Sequence, residues 1–204
     1  MDKNYTVVET SKLLTTHGGG HNYDLIADVD IENGHIGFVG ELAENVDGQQ
    51  TYDFGVFNAD TIGKKKAILI ANPEWDYDEC RKTNQALYNY INKAGIPFRG
   101  YDLYAGDTYA VSAGAFDASV VGEIKNNQYL VLNADKTTLK IVATEAETAG
   151  AGFVARIEGK AKRNWGWTAK NGNAYGRPSV VYFVHILRND IVDTAAVDTA
   201  GVNE

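Results

Sequence analysis

The sequence predicts an α+β fold, mainly antiparallel β with one long helix at about residues 78–94. An all-β barrel or sandwich with one inserted helix is the variant. Three observations point there. First, Asp76 to Gly100 reads DYDECRKTNQALYNYINKAGIPFRG, and Cys80, Thr83, Leu87, Tyr90, Ile91 and Ala94 recur at three- and four-residue spacing. Second, the rest of the chain breaks into short alternating runs bounded by Gly, Asn and Asp. Third, Ala67 to Ala71, AILIA, is a continuous apolar run of the kind expected of a strand covered on both faces.

The helix carries consistent end signals. Asp76 or Asp78 can cap its start and Glu79 suits its first turn. Gly95 reads as a left-handed stop, and Pro97 prevents continuation. The polar face holds Arg81, Lys82, Gln85, Asn89 and Asn92, so Leu87 and Ile91 are expected in the core.

Taken in order, Tyr5 to Val8 can form a short strand, and 9–21, with TTHGGGH, reads as an extended arm or loop. Asp24 to Ile31 alternates, Asn33-Gly34 is a strong hairpin signal, and Ile36 to Leu42 alternates again, so 24–42 is expected to be a β-hairpin. Strands follow at Tyr52 to Val56 and Ala67 to Ala71, then, after the helix, at Phe98 to Leu103 and Asp107 to Ser112. Gln128 to Asn133 and Leu139 to Thr144 flank a second hairpin turn at Ala134 to Thr137. Phe153 to Ile157, extendable to Lys162, and Val180 to Leu187 close the series around the loop NWGWTAKNGNAYGR. The organisation is an N-terminal arm (1–21), one β-rich domain (22–189) in which 22–60 could be a hairpin subdomain, and a mobile tail (190–204).

The chain has 204 residues, a net charge of −8 and one cysteine. The acidic balance argues against a nucleic-acid groove. No apolar run approaches the ~18 residues of a membrane span, and the first residues lack the signal-peptide pattern, so synthesis and assembly in a cytoplasm are expected. A lone Cys80 on the apolar helix face reads as a buried, inert thiol. The charge is uneven. Residues 1–60 hold eleven acidic and two basic residues, whereas 156–177 hold six basic and one acidic. Either these are two solvated faces, or they meet between copies in an assembly and set register.

Several strings look chemical and lack their context. His17 to Gly20, HGGG, matches an oxyanion-hole string, and Ser112, Asp135 and His185 follow in hydrolase order. The elbow around Ser112 starts with Ala110 in place of glycine, and the AFDASVV run beyond Ser112 has poor helical patterning. His17, His21 and His35 could suggest a metal, but a GGG spacer holds two ligands poorly. Asp28, Asp30 and Glu32 resemble the start of a calcium loop, yet Asn33 and Val39 stand where glycine and glutamate are needed. Gly63 to Lys66 lacks the features of a phosphate loop. No catalytic residue, cofactor or metal is expected. Trp165, Trp167 and Tyr175, flanked by Arg163 and Lys170, form the candidate interface, since aromatic and arginine residues dominate binding hot spots, while the alternative is that the tryptophans anchor the long loop onto the core.

Three stretches carry a resemblance: TTHGGGHNYDL entering the acidic hairpin, ILIANPEWDYDECRKTNQALYNYINKAGIPFRGYDL, and SVVYFVHILRN after a Gly/Trp-rich loop. Their order resembles the small head decoration, cement or auxiliary capsid proteins of tailed bacteriophages and prophages of Firmicutes-type hosts. The resemblance implies a non-enzymatic virion structural protein on the capsid surface, bound in many copies, with the major capsid protein as partner. It also implies self-association, with a trimer as one form. A carbohydrate- or host-surface-binding module of a phage head or tail, using Trp165, Trp167 and Tyr175, is the first alternative. A small serine hydrolase is the second.

Overall fold

The computed structural model describes residues 4–44, 50–74, 87–117, 124–165 and 177–192. Among them, eleven strands form two sheets. The chain begins in one sheet with β1 (Val8–Lys12). It then builds a closed barrel from β2 (Asn22–Ile26), β3 (Ile36–Leu42), β4 (Thr51–Gly55), β5 (Ile68–Ile70) and β6 (Phe98–Asp102), in the order β2-β4-β3-β5-β6. It returns to the first sheet with β7 (Thr108–Ser112), β8 (Tyr129–Val131), β9 (Lys140–Val142), β10 (Phe153–Trp165) and β11 (Arg177–Asn189). That six-stranded sheet runs β1-β7-β11-β10-β8-β9. The whole barrel is therefore inserted between two neighbouring strands, β1 and β7.

Alternation explains both layers. In the barrel, Leu25, Ile68, Ile70 and Phe98 point inward, with Tyr23, Val39, Tyr52 and Phe54 around them. Edge-on ring pairs Tyr23–Tyr52 (6.0 Å) and Phe54–Phe98 (5.8 Å) fill the interior. Ile36 and Leu69 point outward and meet Val111, Tyr109, Val184 and Ile186 of the sheet, so the larger core lies between barrel and sheet. The AILIA run thus has apolar cover on both sides, Leu69 in one core and Ile68 and Ile70 in the other.

The long helix is overturned: the architecture is all-β. Among the described residues no helix reaches seven residues, and only a 3-10 turn, Leu87–Asn89, falls within 78–94. Residues 75–86, Cys80 included, lie outside the described residues. The reason is tertiary. Asn92 pairs with Ile31 through two backbone hydrogen bonds (2.9 and 3.0 Å), and its side-chain amide donates to the Ile31 carbonyl and to Asn33 Oδ1. Gly95 N–H donates to the Ala27 carbonyl. These bonds tie Asn92 and the turn at 93–96, with Gly95 left-handed (φ 72°), to the 27–31 segment, and they override the local helical pattern. Asn92, placed by that pattern on the solvent face, is buried, while Leu87 and Ile91 are only half-buried.

The hairpin at 24–42 is also corrected. Gly34 does take a left-handed turn (φ 81°). Yet β2 pairs with β4 in parallel and with β6, while β3 pairs with β4 and β5. The Asn33 amide binds the backbone of Asn72, and Gly34 N–H donates to the Ile70 carbonyl, so the turn is stitched to the end of β5 and not to a hairpin partner. The β8–β9 hairpin forms as read, with Asp135 left-handed in its turn (φ 60°). Residues 9–12, expected in an extended arm or loop, belong with Val8 to β1 and pair with β7 at the sheet edge. Asp190 and Val192 bond back to Gly152 and Gly63, and 193–204 lie outside the described residues.

Candidate interaction surface

The most prominent surface element is the β10–β11 ribbon. Both strands have thirteen residues and pair along their full length. Their neighbours are shorter. β7 pairs with β11 over Val181 to His185, and β8 pairs with β10 at Ala155 and Arg156. The rungs Lys162–Val180, Arg163–Ser179, Asn164–Pro178 and Trp165–Arg177 therefore have no third strand beside them among the described residues. At ~3.3 Å per residue these four rungs are a projection of about 13 Å.

Arg163 anchors its root. Its Nε donates to Glu9 Oε1 at 2.9 Å, and its guanidinium lies 6.0 Å from the Phe183 ring centre. One of the acidic N-terminal residues is thus paired with the basic segment inside a single chain. Lys160 and Lys162 are exposed and have no ion-pair partner among the described residues. Trp165 ends β10, and Trp167, Lys170 and Tyr175 lie outside the described residues.

The acidic counterpart is the barrel wall. Asp24, Asp53 and Glu41 stand exposed on the adjoining strands β2, β4 and β3. Leu42, beside Glu41, is 57 % exposed. Their alternation with inward residues was visible in the sequence. Their adjacency was not, because it depends on the parallel β2–β4 pairing.

The chemical strings are dispersed or occupied. Ser112 Oγ accepts the Val7 N–H at 3.0 Å and is buried. Ser112 stands opposite Val181, whereas His185 stands opposite Thr108 at the other end of β7, so serine and histidine are about 13 Å apart along the strand. His185 Nδ1 lies 3.2 Å from Thr108 Oγ1. In HGGG, the Gly18 and Gly19 amides donate to Thr15 and Leu14 carbonyls, which leaves neither for an oxyanion. Glu32 accepts from the Thr6 amide and hydroxyl (both 2.7 Å), and Asp30 accepts from Lys93 and the Ala94 amide. No group of three or more metal-ligating side chains exists among the described residues.

An open cleft of about 660 Å³ lies where barrel meets sheet, lined by Glu32, His35, Gly114, Asp117, Lys136 and Thr138. Asp117 is held by Lys136 (2.6 Å) and Asn133 (2.7 Å). Burial lowers the pKa of His35, opposed by the Glu32 carboxylate 4.0 Å from Nε2. The polar groups lining this cleft mostly bind one another, and no signal short of the fold could have brought residues 32–35 and 113–138 together.

Compared with known proteins, the chain matches no family model, no curated protein and no solved structure.

Proposed function

We propose that this chain is a non-enzymatic virion structural protein, a decoration or cement protein that binds the outer capsid in many copies. The observation that carries the reading is the ribbon, whose outer rungs have no third strand among the described residues, and whose strands are joined in the sequence by WGWTAKNGNAYG. Isolated two-stranded hairpins are marginally stable in water. A ribbon that runs beyond its neighbouring strands suits an element that gains contact area on a second molecule. Trp165, Trp167 and Tyr175 supply the apolar anchors on the major capsid protein, and Lys170 steers approach. Arg163, tied to Glu9, holds the root in place. Many weak copies give avidity on a repeated lattice. The acidic charge keeps the chain off nucleic acid, and its place is the capsid surface after assembly in the host cytoplasm.

The test is co-sedimentation with capsids stripped of this protein, taken from the virus that encodes it. Wild type should bind, and Trp165→Ala or Trp167→Ala should weaken binding more than Lys160→Ala or Lys162→Ala at both low and high salt. No binding of wild type removes the reading. Loss in the lysine variants with full binding in the tryptophan variants removes the anchor assignment. Binding to a host glycan array in place of capsids would favour a carbohydrate-binding module.

A further inference from the structure

We infer that the ribbon of one copy docks on the acidic barrel wall of a second copy, with Lys160, Lys162 and Val180 facing Asp24, Asp53 and Glu41. The inference rests on the self-association part of the function proposed above and is independent of the capsid.

The ribbon needs a neighbour, and its edges argue against strand addition. Beyond Ile157 the outer edge of β10 carries two exposed lysines, and the outer edge of β11 includes Pro178, which has no N–H to offer. Lysine and proline are the usual means of keeping sheet edges from pairing. Contact through a face is what remains. Cross-strand partners share a face, so Lys160 lies beside Tyr182 and Lys162 beside Val180. On this face Tyr182 packs edge-on against Phe116 of the core, and the two exposed lysines stand out beside half-buried Val180. Glu158 is occupied by Arg156 at 3.4 Å and does not neutralise the lysines.

The same molecule carries the complement. Asp24, Asp53 and Glu41 occupy three adjoining strands and form no ion pair among the described residues, although the exposed Arg99 of β6 stands opposite Asp24, so Asp53 and Glu41 are the carboxylates farther from a cation. A contact between the ribbon of one copy and the barrel of the next is heterologous, and such contacts close into rings when the rotation permits. Complementary charge of this kind sets orientation and association rate.

Sedimentation equilibrium of the isolated full chain tests this at about 50 mM and about 500 mM salt. Wild type should associate at low salt and weaken at high salt. Lys160→Glu/Lys162→Glu should weaken association about tenfold or more, and so should Asp24→Lys/Asp53→Lys. An equimolar mixture of the two charge-reversed proteins should regain wild-type association, because each supplies the charge the other lost. Lys160→Gln/Lys162→Gln should fall between wild type and reversal, and circular dichroism should report the same fold throughout. Wild type that stays monomeric at both salts overturns the inference and points to a foreign acidic partner. A ribbon variant that associates like wild type, or a mixture that stays apart, also overturns it. Capsid binding without self-association would leave the proposed function standing and remove this inference alone.

Discussion

Asn189, the last residue of β11, binds both backbone groups of Ala67 just before β5: Ala67 N–H donates to Oδ1 at 2.9 Å, and Nδ2 donates to the Ala67 carbonyl at 2.8 Å. Nδ2 also donates to the Leu103 carbonyl at 2.9 Å, where the chain leaves β6. One side chain thereby fastens the end of the sheet to two barrel strands, and all of it is buried. Asn189→Ala leaves an N–H and two carbonyls without that partner. Unmade buried hydrogen bonds cost about 1–3 kcal/mol each, so a loss on the order of 3 kcal/mol is expected in urea unfolding. Asn189→Asp, which cannot donate to the two carbonyls, should fall close to the alanine variant. An alanine variant as stable as wild type would mean that barrel and sheet hold together without this latch.

Asn92 separates the observed fold from the helix that the sequence suggests. It is 2 % exposed and ties 92 to 31 and 33, whereas Leu87 is half-buried. Asn92→Ala should cost about 2–3 kcal/mol through orphaned polar groups, and Leu87→Ala about 1 kcal/mol or less, since little area is withdrawn from water. A helix packed on Leu87 and Ile91 would give the opposite order. Thermal unfolding of the two variants side by side decides it.

Glycine in the barrel is required by ring packing. Phe38 on β3 stands opposite Gly55 on β4, and Phe54 covers Gly37 in return. A methyl on Gly37 would overlap the Phe54 ring and lie 2.6 Å from the Gly55 carbonyl oxygen. The backbone oxygen cannot swing away, so Gly37→Ala should cost about 1–3 kcal/mol by overpacking. Gly159→Ala is the control. Its new methyl would meet Phe183 at 3.7 Å, an ordinary contact, and should be neutral or stabilise by up to about 1 kcal/mol. Equal melting temperatures for the two variants would remove the packing argument.

Local signals were enough to place Tyr52 to Val56, the β8–β9 hairpin and the final ribbon, by alternation, and AILIA, by its continuous apolar run. Pairing was not legible. β2 finds β4 and β6, and β1 finds β7 across an inserted barrel, so the partners are set by contacts far apart in sequence. Asn33-Gly34 carried the correct backbone turn and the wrong partner, since a turn specifies direction and leaves the choice of neighbour to packing. For the surface, the basic segment 156–177 was visible as charge, and the third-strand-free rungs of β10 that carry Lys162 and Arg163 required the short lengths of β7 and β8.

His35 makes stability depend on pH with a definite sign. Its Nδ1 lies 2.8 Å from Thr137 Oγ1, and the ring is 14 % exposed between the barrel and the β8–β9 turn. Burial lowers its pKa from the ordinary value of 6.5, partly offset by Glu32. Lys136 and Asp117 line the same cleft and neutralise each other. A base whose folded pKa lies below its unfolded value takes up its proton first in the unfolded chain. Its contribution to stability is therefore complete above about pH 6.5 and declines as pH falls toward the lowered folded value, with a slope of at most about 1.4 kcal/mol per pH unit. Asp102 works in the other direction. Burial raises its pKa, so its contribution is greatest in acid and is lost as pH rises through the folded value. Between pH 6.5 and 5 the His35 effect should show as a fall in the urea midpoint, and His35→Asn should flatten that fall while retaining an amide near Thr137. A wild-type midpoint that is level across this range would remove the His35 effect, and one that falls equally in His35→Asn would assign the acid sensitivity to the carboxylates and not to His35.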